Sequence, residues 1–179
     1  MIGKWITKSK KFIDSSIVFK HFIYERESET SGRVGNFDVI QCSTWVNVVA
    51  FDKNDELVMV KQYRHGSDEI TLEIPGGAVD PGEDLLAAAK RELREETGHT
   101  SDNWKFIGVV DPNPAFMDNK CHTYLALDCE ETHELSPDPL EEIEVVKIKH
   151  ADVDSMVQKG EITHSLVIAA FYFEKVHNI

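Results

Sequence analysis

The chain has 179 residues, a hydrophobic fraction of 41% and a formal net charge of -13. The length suits one domain, or one domain with an N-terminal appendage. The acidic charge argues against nucleic acid and anionic membrane surfaces as partners, because both are bound through basic patches, and an anionic substrate would need a cation as intermediary. No apolar run reaches the roughly 18 residues of a membrane span, and the charged N-terminal segment precedes no apolar core, so a cytoplasmic location is predicted.

The first part of the chain reads as strands joined by polar turns. Residues 17–25 and 37–41 are strand-like and flank a polar, glycine-containing segment, which predicts an N-terminal hairpin. The apolar runs 45–51 and 57–62 are separated by DKNDE and predict a second hairpin. A short strand is expected at 70–74, where it ends at Pro-Gly-Gly.

The rest of the chain alternates helices with strands. Segment 84–97 contains AAAKRELREE and is followed by Gly98, where a helix-ending glycine belongs, so a helix is predicted there. The pattern as a whole predicts an α/β (α+β) fold, with residues 1–43 as an N-terminal segment and hairpin and residues 44–179 as the main domain. Further strands are predicted at 105–110, 122–127 and 143–148, and further helices at 151–158 and 164–176.

The three cysteines, Cys42, Cys121 and Cys129, match no disulfide or zinc-binding pattern. Their number is odd, and they show neither CxxC spacing nor histidine partners at zinc-finger spacing. A disulfide framework or structural zinc site is therefore not expected, and the three are predicted to be incidental thiols.

Three glutamates, Glu92, Glu95 and Glu96, fall at the end of the predicted helix and project within about a third of a turn of one another. Like charges at this spacing repel by roughly 0.2–0.5 kcal/mol per pair, and the helix C-terminus disfavours a carboxylate by about 0.3–1 kcal/mol. Because folding alone does not favour this arrangement, the cluster indicates a function. Hard divalent cations bridge such carboxylates to phosphates, so the cluster predicts a metal site. The alternative is a solvated charged helix face.

The cluster belongs to a longer motif made of Gly77, Glu83, Arg91, Glu92, Glu95, Glu96 and Gly98. The identities and spacing of these positions resemble the signature of the Nudix hydrolases. The resemblance implies a Nudix-type α/β/α sandwich with a mixed sheet and an N-terminal β-hairpin extension, and a metal held by the three glutamates and the Gly76 carbonyl. It also implies a structural ion pair between Glu83 and Arg91, which is expected to lie well around the helix from the acidic face. The final position of the motif, usually an aliphatic residue, is occupied here by His99, which weakens a packing contact.

Motifs outside this segment are similar to the branch of the family that hydrolyses ADP-ribose and other nucleoside diphosphate sugars. These are KQYRHG and EIPGG before the motif and Pro114 after it. In that branch the arginine of QYR reaches the substrate phosphates, which points to Arg64, since a guanidinium suits bidentate phosphate contact. The alternative is a plain surface arginine. Glu73 either contacts substrate or caps its strand.

The resemblance places the catalytic base on a downstream loop, here PDPLEEIEVV. The candidates on that loop are Glu141 and, as second choice, Glu142, each of which could instead be a solvated loop glutamate. Glu95 is a further candidate for handling the attacking water.

Candidates for binding the base and the sugar lie elsewhere. Tyr24 and Phe37 in the N-terminal hairpin either stack on a purine or pack in the core. Phe116 and Met117 either line the sugar side or form a turn. Family members of this type are generally homodimers that exchange N-terminal strands, so a homodimer is expected.

The resulting hypothesis is hydrolysis of a nucleoside diphosphate sugar, ADP-ribose or GDP-mannose among them, to nucleoside monophosphate and sugar phosphate. Mg²⁺ is the expected cofactor, with Mn²⁺ as a substitute. The alternatives are hydrolysis of nucleoside triphosphates or dinucleoside polyphosphates, and a non-catalytic Nudix module that only binds its ligand. No nucleic acid or membrane partner is expected.

Overall fold

A computed structural model describes residues 2–177 of the chain, which fall into two compact units. One unit comprises the residues up to Thr44 together with Asp111–Lys120, and the other comprises Trp45–Val110 and the residues from Cys121 onward. Within the described residues, no helix combines the length and the apolarity that crossing a membrane requires. Cys42, Cys121 and Cys129 are free thiols, and the last two are buried.

The smaller unit is built on a three-stranded antiparallel sheet of order β1-β2-β3. The strands are β1 (Trp5–Ser15), β2 (Phe19–Ser28) and β3 (Val34–Cys42). The predicted hairpin is β2 and β3 and is confirmed. Strand β1 was not predicted, and bulges along its pairing with β2 interrupt the alternation by which a strand is recognised. Every residue of β1 is exposed.

The larger unit contains an eight-stranded mixed sheet with the order β11-β5-β4-β10-β8; β6 pairs with β5, β7 with β4 and β9 with β10. Strands β4 and β10 run parallel, and the other pairs are antiparallel. The bounds are β4 (Trp45–Asp52), β5 (Glu56–Arg64), β6 (Glu69–Glu73), β7 (Gly76–Ala78), β8 (His99–Thr100), β9 (Asn103–Val110), β10 (Cys121–Glu131) and β11 (Ile143–Lys149).

Helices cover both faces of this sheet. They are α1 (Leu85–Thr97), α2 (Val153–Lys159), which follows a 3₁₀ turn at His150–Asp152, and α3 (Ser165–Val176). Because side chains alternate along a strand, Val48 and Ala50 of β4 face α1, whereas Val49 and Phe51 face the other helices. The continuous apolar run of β4 thus reflects burial on both faces, and the predicted α/β/α layering is confirmed.

Local signals fix the ends of α1. The Asp84 carboxylate accepts hydrogen bonds from the N–H groups of Leu86 and Ala87, both at 3.0 Å. Gly98 adopts a φ of 71° and its N–H bonds the Arg94 carbonyl. On the apolar side, Ala89 and Leu93 are fully buried, and Glu96, seven residues after Ala89, lies close to the same buried side of the helix.

Candidate active site

The acidic end of α1 lies against the short strand β7. The Gly76 N–H donates a hydrogen bond to Oε2 of Glu96 at 3.0 Å, and Glu96 is only 4% exposed. A Cβ atom built on Gly77 would lie 2.6 Å from Oε1 of Glu92, and one on Gly76 would lie 2.3 Å from the Val46 carbonyl oxygen. Glycine at both positions therefore lets the backbone approach the carboxylates on one side and β4 on the other.

Arg91 connects these carboxylates to the loop before the helix. Its Nε and Nη2 atoms bond the two carboxylate oxygens of Glu83, each at 3.0 Å, and Nη2 also donates to the Ala78 carbonyl. The ion pair implied by the family resemblance is therefore present. Its Nη1 atom bonds Oε1 of Glu92 at 2.8 Å and Oε2 of Glu95 at 3.2 Å. The expectation that Arg91 lies well away from the acidic face is wrong, because its long side chain reaches both the adjacent residue and the residue one turn later.

The carboxylates differ in how well the protein compensates their charge. Burial raises the pKa of Glu96 to about 8, which the single Gly76 N–H offsets only in part. Burial likewise raises the pKa of Glu92 to about 7 in spite of Arg91. The negative charge of Glu141 adds to the rise at both. Hydrogen bonding from Arg91 instead holds the pKa of Glu83 below its ordinary value. The positive charge of Arg91 near Glu92 and that of Arg64 near Glu96 therefore offset the cost of burying these two carboxylates only in part.

The chemistry of this set fits a hard divalent cation. Three carboxylates and a backbone carbonyl at Gly76 are oxygen ligands, and the two most buried carboxylates are those with too little positive charge. Within residues 2–177, no three His, Cys, Asp or Glu side chains converge in a geometry that could hold a metal ion. Glu92 and Glu95 each accept a hydrogen bond from Arg91 through one carboxylate oxygen, which leaves further acceptor capacity on both carboxylates. The ligand assignment stays a prediction.

Arg64 at the end of β5 forms a second carboxylate–arginine pair. Its Nε and Nη2 atoms donate to the two oxygens of Glu73 at 2.7 and 2.8 Å, and the Thr71 hydroxyl donates to Glu73 Oε1 at 2.5 Å. Burial opposes ionisation of Glu73, but these hydrogen bonds outweigh it and hold its pKa below the ordinary value. Glu73, 3% exposed, is therefore an anchor for the Arg64 guanidinium rather than a simple strand cap.

The Arg64 side chain also borders a cavity of about 450 Å³ between the end of β5 and the start of α3. His65 and His164 line it together with serine and threonine hydroxyls, and none of the described residues around it carries a carboxylate. His65 follows Arg64 directly within KQYRHG, whereas no sequence motif marks His164 as a neighbour of Arg64, because that proximity arises from folding. The sequence also places Thr71 near Glu73, because the two side chains lie two residues apart on one strand and so share a face.

The loop between β10 and β11 carries the two candidate bases. Glu141 is half-buried, its N–H bonds the Asp138 carbonyl at 2.8 Å, and its charge raises the pKa values of Glu92, Glu96 and Arg64. The Glu141 carboxylate is thus close enough to the acidic cluster for its charge to change the pKa values there. Glu142 is exposed.

The remaining candidates belong to the smaller unit. Tyr24 is buried, with the Lys10 ammonium 4.6 Å and the Arg26 guanidinium 5.2 Å from its ring centroid, which favours packing over stacking on a base. Phe37 is exposed and meets Trp5 edge-on at 5.2 Å. Phe116 is also exposed, and Met117 bridges to β3. Their substrate roles stay predictions.

His99, the residue that departs from the motif, is buried at the first position of β8, directly after Gly98. Its Nδ1 atom forms a hydrogen bond with the Thr97 carbonyl at 2.7 Å. The departure therefore places a polar ring in a packing position and does not involve the acidic cluster directly.

Comparison with known proteins identifies the family of this chain. The family model described as the NUDIX domain matches residues 44–171. An ADP-ribose pyrophosphatase of Bacillus subtilis (strain 168) is 30% identical over 159 residues, which cover 87% of this chain and 84% of that protein. An ADP-ribose pyrophosphatase of Mycobacterium tuberculosis is 32% identical over 140 residues, or 77% of this chain and 68% of that protein.

The fold has a counterpart among solved structures. The crystal structure of an ADP compounds hydrolase matches with a TM-score of 0.85, covering 98% of this chain and 94% of that chain at 20% sequence identity. The predicted fold class and the predicted resemblance to Nudix proteins of the ADP-ribose pyrophosphatase kind are both confirmed. The chain belongs to the Nudix family of hydrolases.

Proposed function

We propose that this protein hydrolyses the pyrophosphate bond of nucleoside diphosphate sugars of the ADP-ribose type, releasing a nucleoside monophosphate and a sugar phosphate. The observation that carries the proposal is Glu96, a buried carboxylate whose only hydrogen-bond donor in the described structure is the Gly76 N–H and whose pKa burial raises to about 8. The names of the two ADP-ribose pyrophosphatase relatives support the substrate class. GDP-mannose is a second candidate substrate.

The proposed cofactor is Mg²⁺, with Mn²⁺ as a substitute, held by Glu92, Glu95, Glu96 and the Gly76 carbonyl. Such an ion lowers the pKa of bound water and neutralises charge on phosphate oxygens. Its ligands come from one turn of α1 and from β7, which the glycines bring together.

In the proposed reaction, water attacks one phosphorus of the diphosphate, and the bond from that phosphorus to the bridging oxygen breaks. The other phosphate leaves as a monoester with the electron pair on that oxygen. Glu141 accepts the proton of the attacking water, with Glu95 and Glu142 as alternatives, and releases it to solvent. Arg64, held by Glu73 at the edge of the cavity, contacts the substrate phosphates.

A substrate panel tests this proposal. ADP-ribose, GDP-mannose, UDP-glucose, nucleoside triphosphates and dinucleoside polyphosphates are incubated with Mg²⁺, and products are identified chromatographically. Nucleoside monophosphate and sugar phosphate are expected from the sugar compounds, with loss of turnover on chelation. Turnover of triphosphates alone would refute the sugar assignment, and tight binding without any turnover would indicate a non-catalytic module. Reaction in ¹⁸O-labelled water identifies the phosphorus attacked.

We further propose a homodimer formed through the N-terminal sheet. The edge strand β1 is exposed along its whole length, and its exposed side chains include the large apolar residues Trp5, Ile6, Phe12 and Ile13. Sheet edges that stay exposed to solvent rarely carry so many apolar side chains. Light scattering after size exclusion should give twice the mass of one chain, and Ile6→Lys should give the monomer. A wild-type monomer would refute the dimer. The cytoplasmic location stays a prediction.

A further inference from the structure

The C-terminal end of α1 holds the beginning of another segment. The Gly98 carbonyl accepts hydrogen bonds from the N–H groups of Thr132 and His133, at 2.9 and 3.1 Å. The Glu95 carbonyl accepts one from the Ser136 N–H at 2.9 Å. These carbonyls have no partners within the helix, so the segment satisfies groups that a helix end otherwise leaves to water.

The segment follows strand β10, whose last two residues pair with β8 immediately after Gly98. We name residues 132–142 the acidic loop. Three of its first five residues, Thr132, His133 and Ser136, are bonded to the end of α1, and Glu141 lies five residues beyond Ser136. The backbone at Glu95 and Gly98 thus sets where the acidic loop starts.

The contact at Gly98 leaves no room for a side chain. A Cβ atom at this position would lie 2.3 Å from the carbonyl oxygen of His133. Gly160 is a natural comparison, because it ends α2 in the same left-handed conformation, with φ of 75° against 71°, and a Cβ there meets nothing within 4 Å. Both positions favour glycine for the backbone, but only Gly98 also needs it for the neighbouring loop.

We propose that Gly98 is a positioning residue that seats the acidic loop, and with it Glu141, on the end of the helix that carries the acidic cluster. This inference rests on the proposed function, in which Glu141 takes the proton of the attacking water. A side chain at position 98 pushes the His133 carbonyl away and shifts the loop start, while the carboxylates on α1 keep their places.

Paired alanine substitutions test this. Gly98→Ala and Gly160→Ala introduce the same backbone strain, so this strain should lower the melting temperature by a similar amount in both variants. Any further loss in Gly98→Ala comes from the contact with the His133 carbonyl. Only Gly98→Ala should lower kcat, by about 10²-fold, with KM and the Mg²⁺ concentration for half-maximal activity nearly unchanged. Only Gly98→Ala should also speed amide exchange at Thr132, His133 and Ser136, which a mere loss of stability would not confine to these residues. Equal kcat in the two variants would overturn the proposal.

A double variant separates loop seating from general damage. Gly98→Ala combined with Glu141→Gln should be no slower than Glu141→Gln alone, because a misplaced base and a missing base have the same effect. Losses that multiply would overturn the proposal, as would full activity of Glu141→Gln. Ser136→Pro removes the N–H that bonds the Glu95 carbonyl and leaves the sequence of α1 unchanged, so it should cause the same loss of kcat. This variant replaces Gly98→Ala in the test if Gly98→Ala does not fold.

The exchange measurement needs no substrate. If the wild-type protein cleaves no nucleoside diphosphate sugar, the proposed function fails, while protection of the Thr132, His133 and Ser136 amides still shows whether Gly98 holds the loop. Unprotected amides in an active wild-type enzyme would instead refute the seating and leave the proposed function standing.

Discussion

Glu73 and Glu96 are equally inaccessible glutamates with opposite electrostatics. Glu73 is 3% exposed and Glu96 is 4% exposed, both within the larger unit. The pKa of Glu73 is held below its ordinary value, whereas that of Glu96 is raised to about 8. Burial pushes both pKa values upward, so the difference lies in the partners.

Glu73 receives a bidentate guanidinium and a hydroxyl, whereas Glu96 receives one backbone N–H, interacts with Arg64 through its charge alone, and faces the charges of Glu92 and Glu141. A buried carboxylate that is fully paired has a structural role, and here Glu73 orients the Arg64 guanidinium. One that is left underpaired is costly and persists where a ligand supplies the missing charge. Burial alone therefore does not distinguish a structural carboxylate from a functional one. The number and charge of the hydrogen-bond donors around each carboxylate do.

The largest expected effect comes from replacing Glu96. Glu96→Gln keeps the size and the Gly76 hydrogen bond but removes the charge, so kcat should fall by roughly 10³-fold or more, since cation stabilisation contributes several kcal/mol. Steady-state kinetics with Mg²⁺ measure it. The matched control is Glu174→Gln, an equally buried glutamate on α3 that pairs with His150 and should retain activity. Unchanged turnover in Glu96→Gln would refute the metal assignment.

The next effect is on the pH dependence of stability without metal. The pKa of Glu96 rises from 4.5 to about 8 on folding, so the folded state binds more protons than the unfolded state between these values. Stability should therefore fall as pH rises through this window, by about 1.4 kcal/mol per pH unit for one such group at most. The difference in melting temperature between Glu96→Gln and wild type, measured in chelator from pH 5 to pH 8, isolates this contribution. A difference that does not grow with pH would contradict the raised pKa.

The smallest effect is expected at Glu73. Because its pKa is lowered on folding, its stabilisation is present above pH 4.5 and is lost as pH falls through the folded-state pKa. Glu73→Gln should cost about 2 kcal/mol at pH 7, since charged hydrogen bonds to Arg64 and Thr71 are weakened. Urea unfolding measures it, with the exposed Glu69→Gln on the same strand as control. A loss no larger than in Glu69→Gln would show that the ion pair is not structural.

Much of the fold was predictable because its signals are local. The predicted helix at 84–97 is observed as Leu85–Thr97, bounded by the cap residues Asp84 and Gly98. Strand β1 was missed because its stability comes from pairing with β2, and bulges break its alternation. In register, Arg64 lies opposite Glu69, yet its guanidinium bonds Glu73, a choice that no sequence pattern reveals.

The sequence by itself determined which carboxylates gather at the end of α1, because helical spacing and capping depend on residues within a few positions of one another. It also marked Glu83 and Arg91 through the motif. Only the tertiary structure decided that Arg91 reaches Glu92 and Glu95, and that Glu96 is buried against Gly76. The charge states of the site depend on burial and on partners distant in sequence, and these arise only when strand, helix and loop come together.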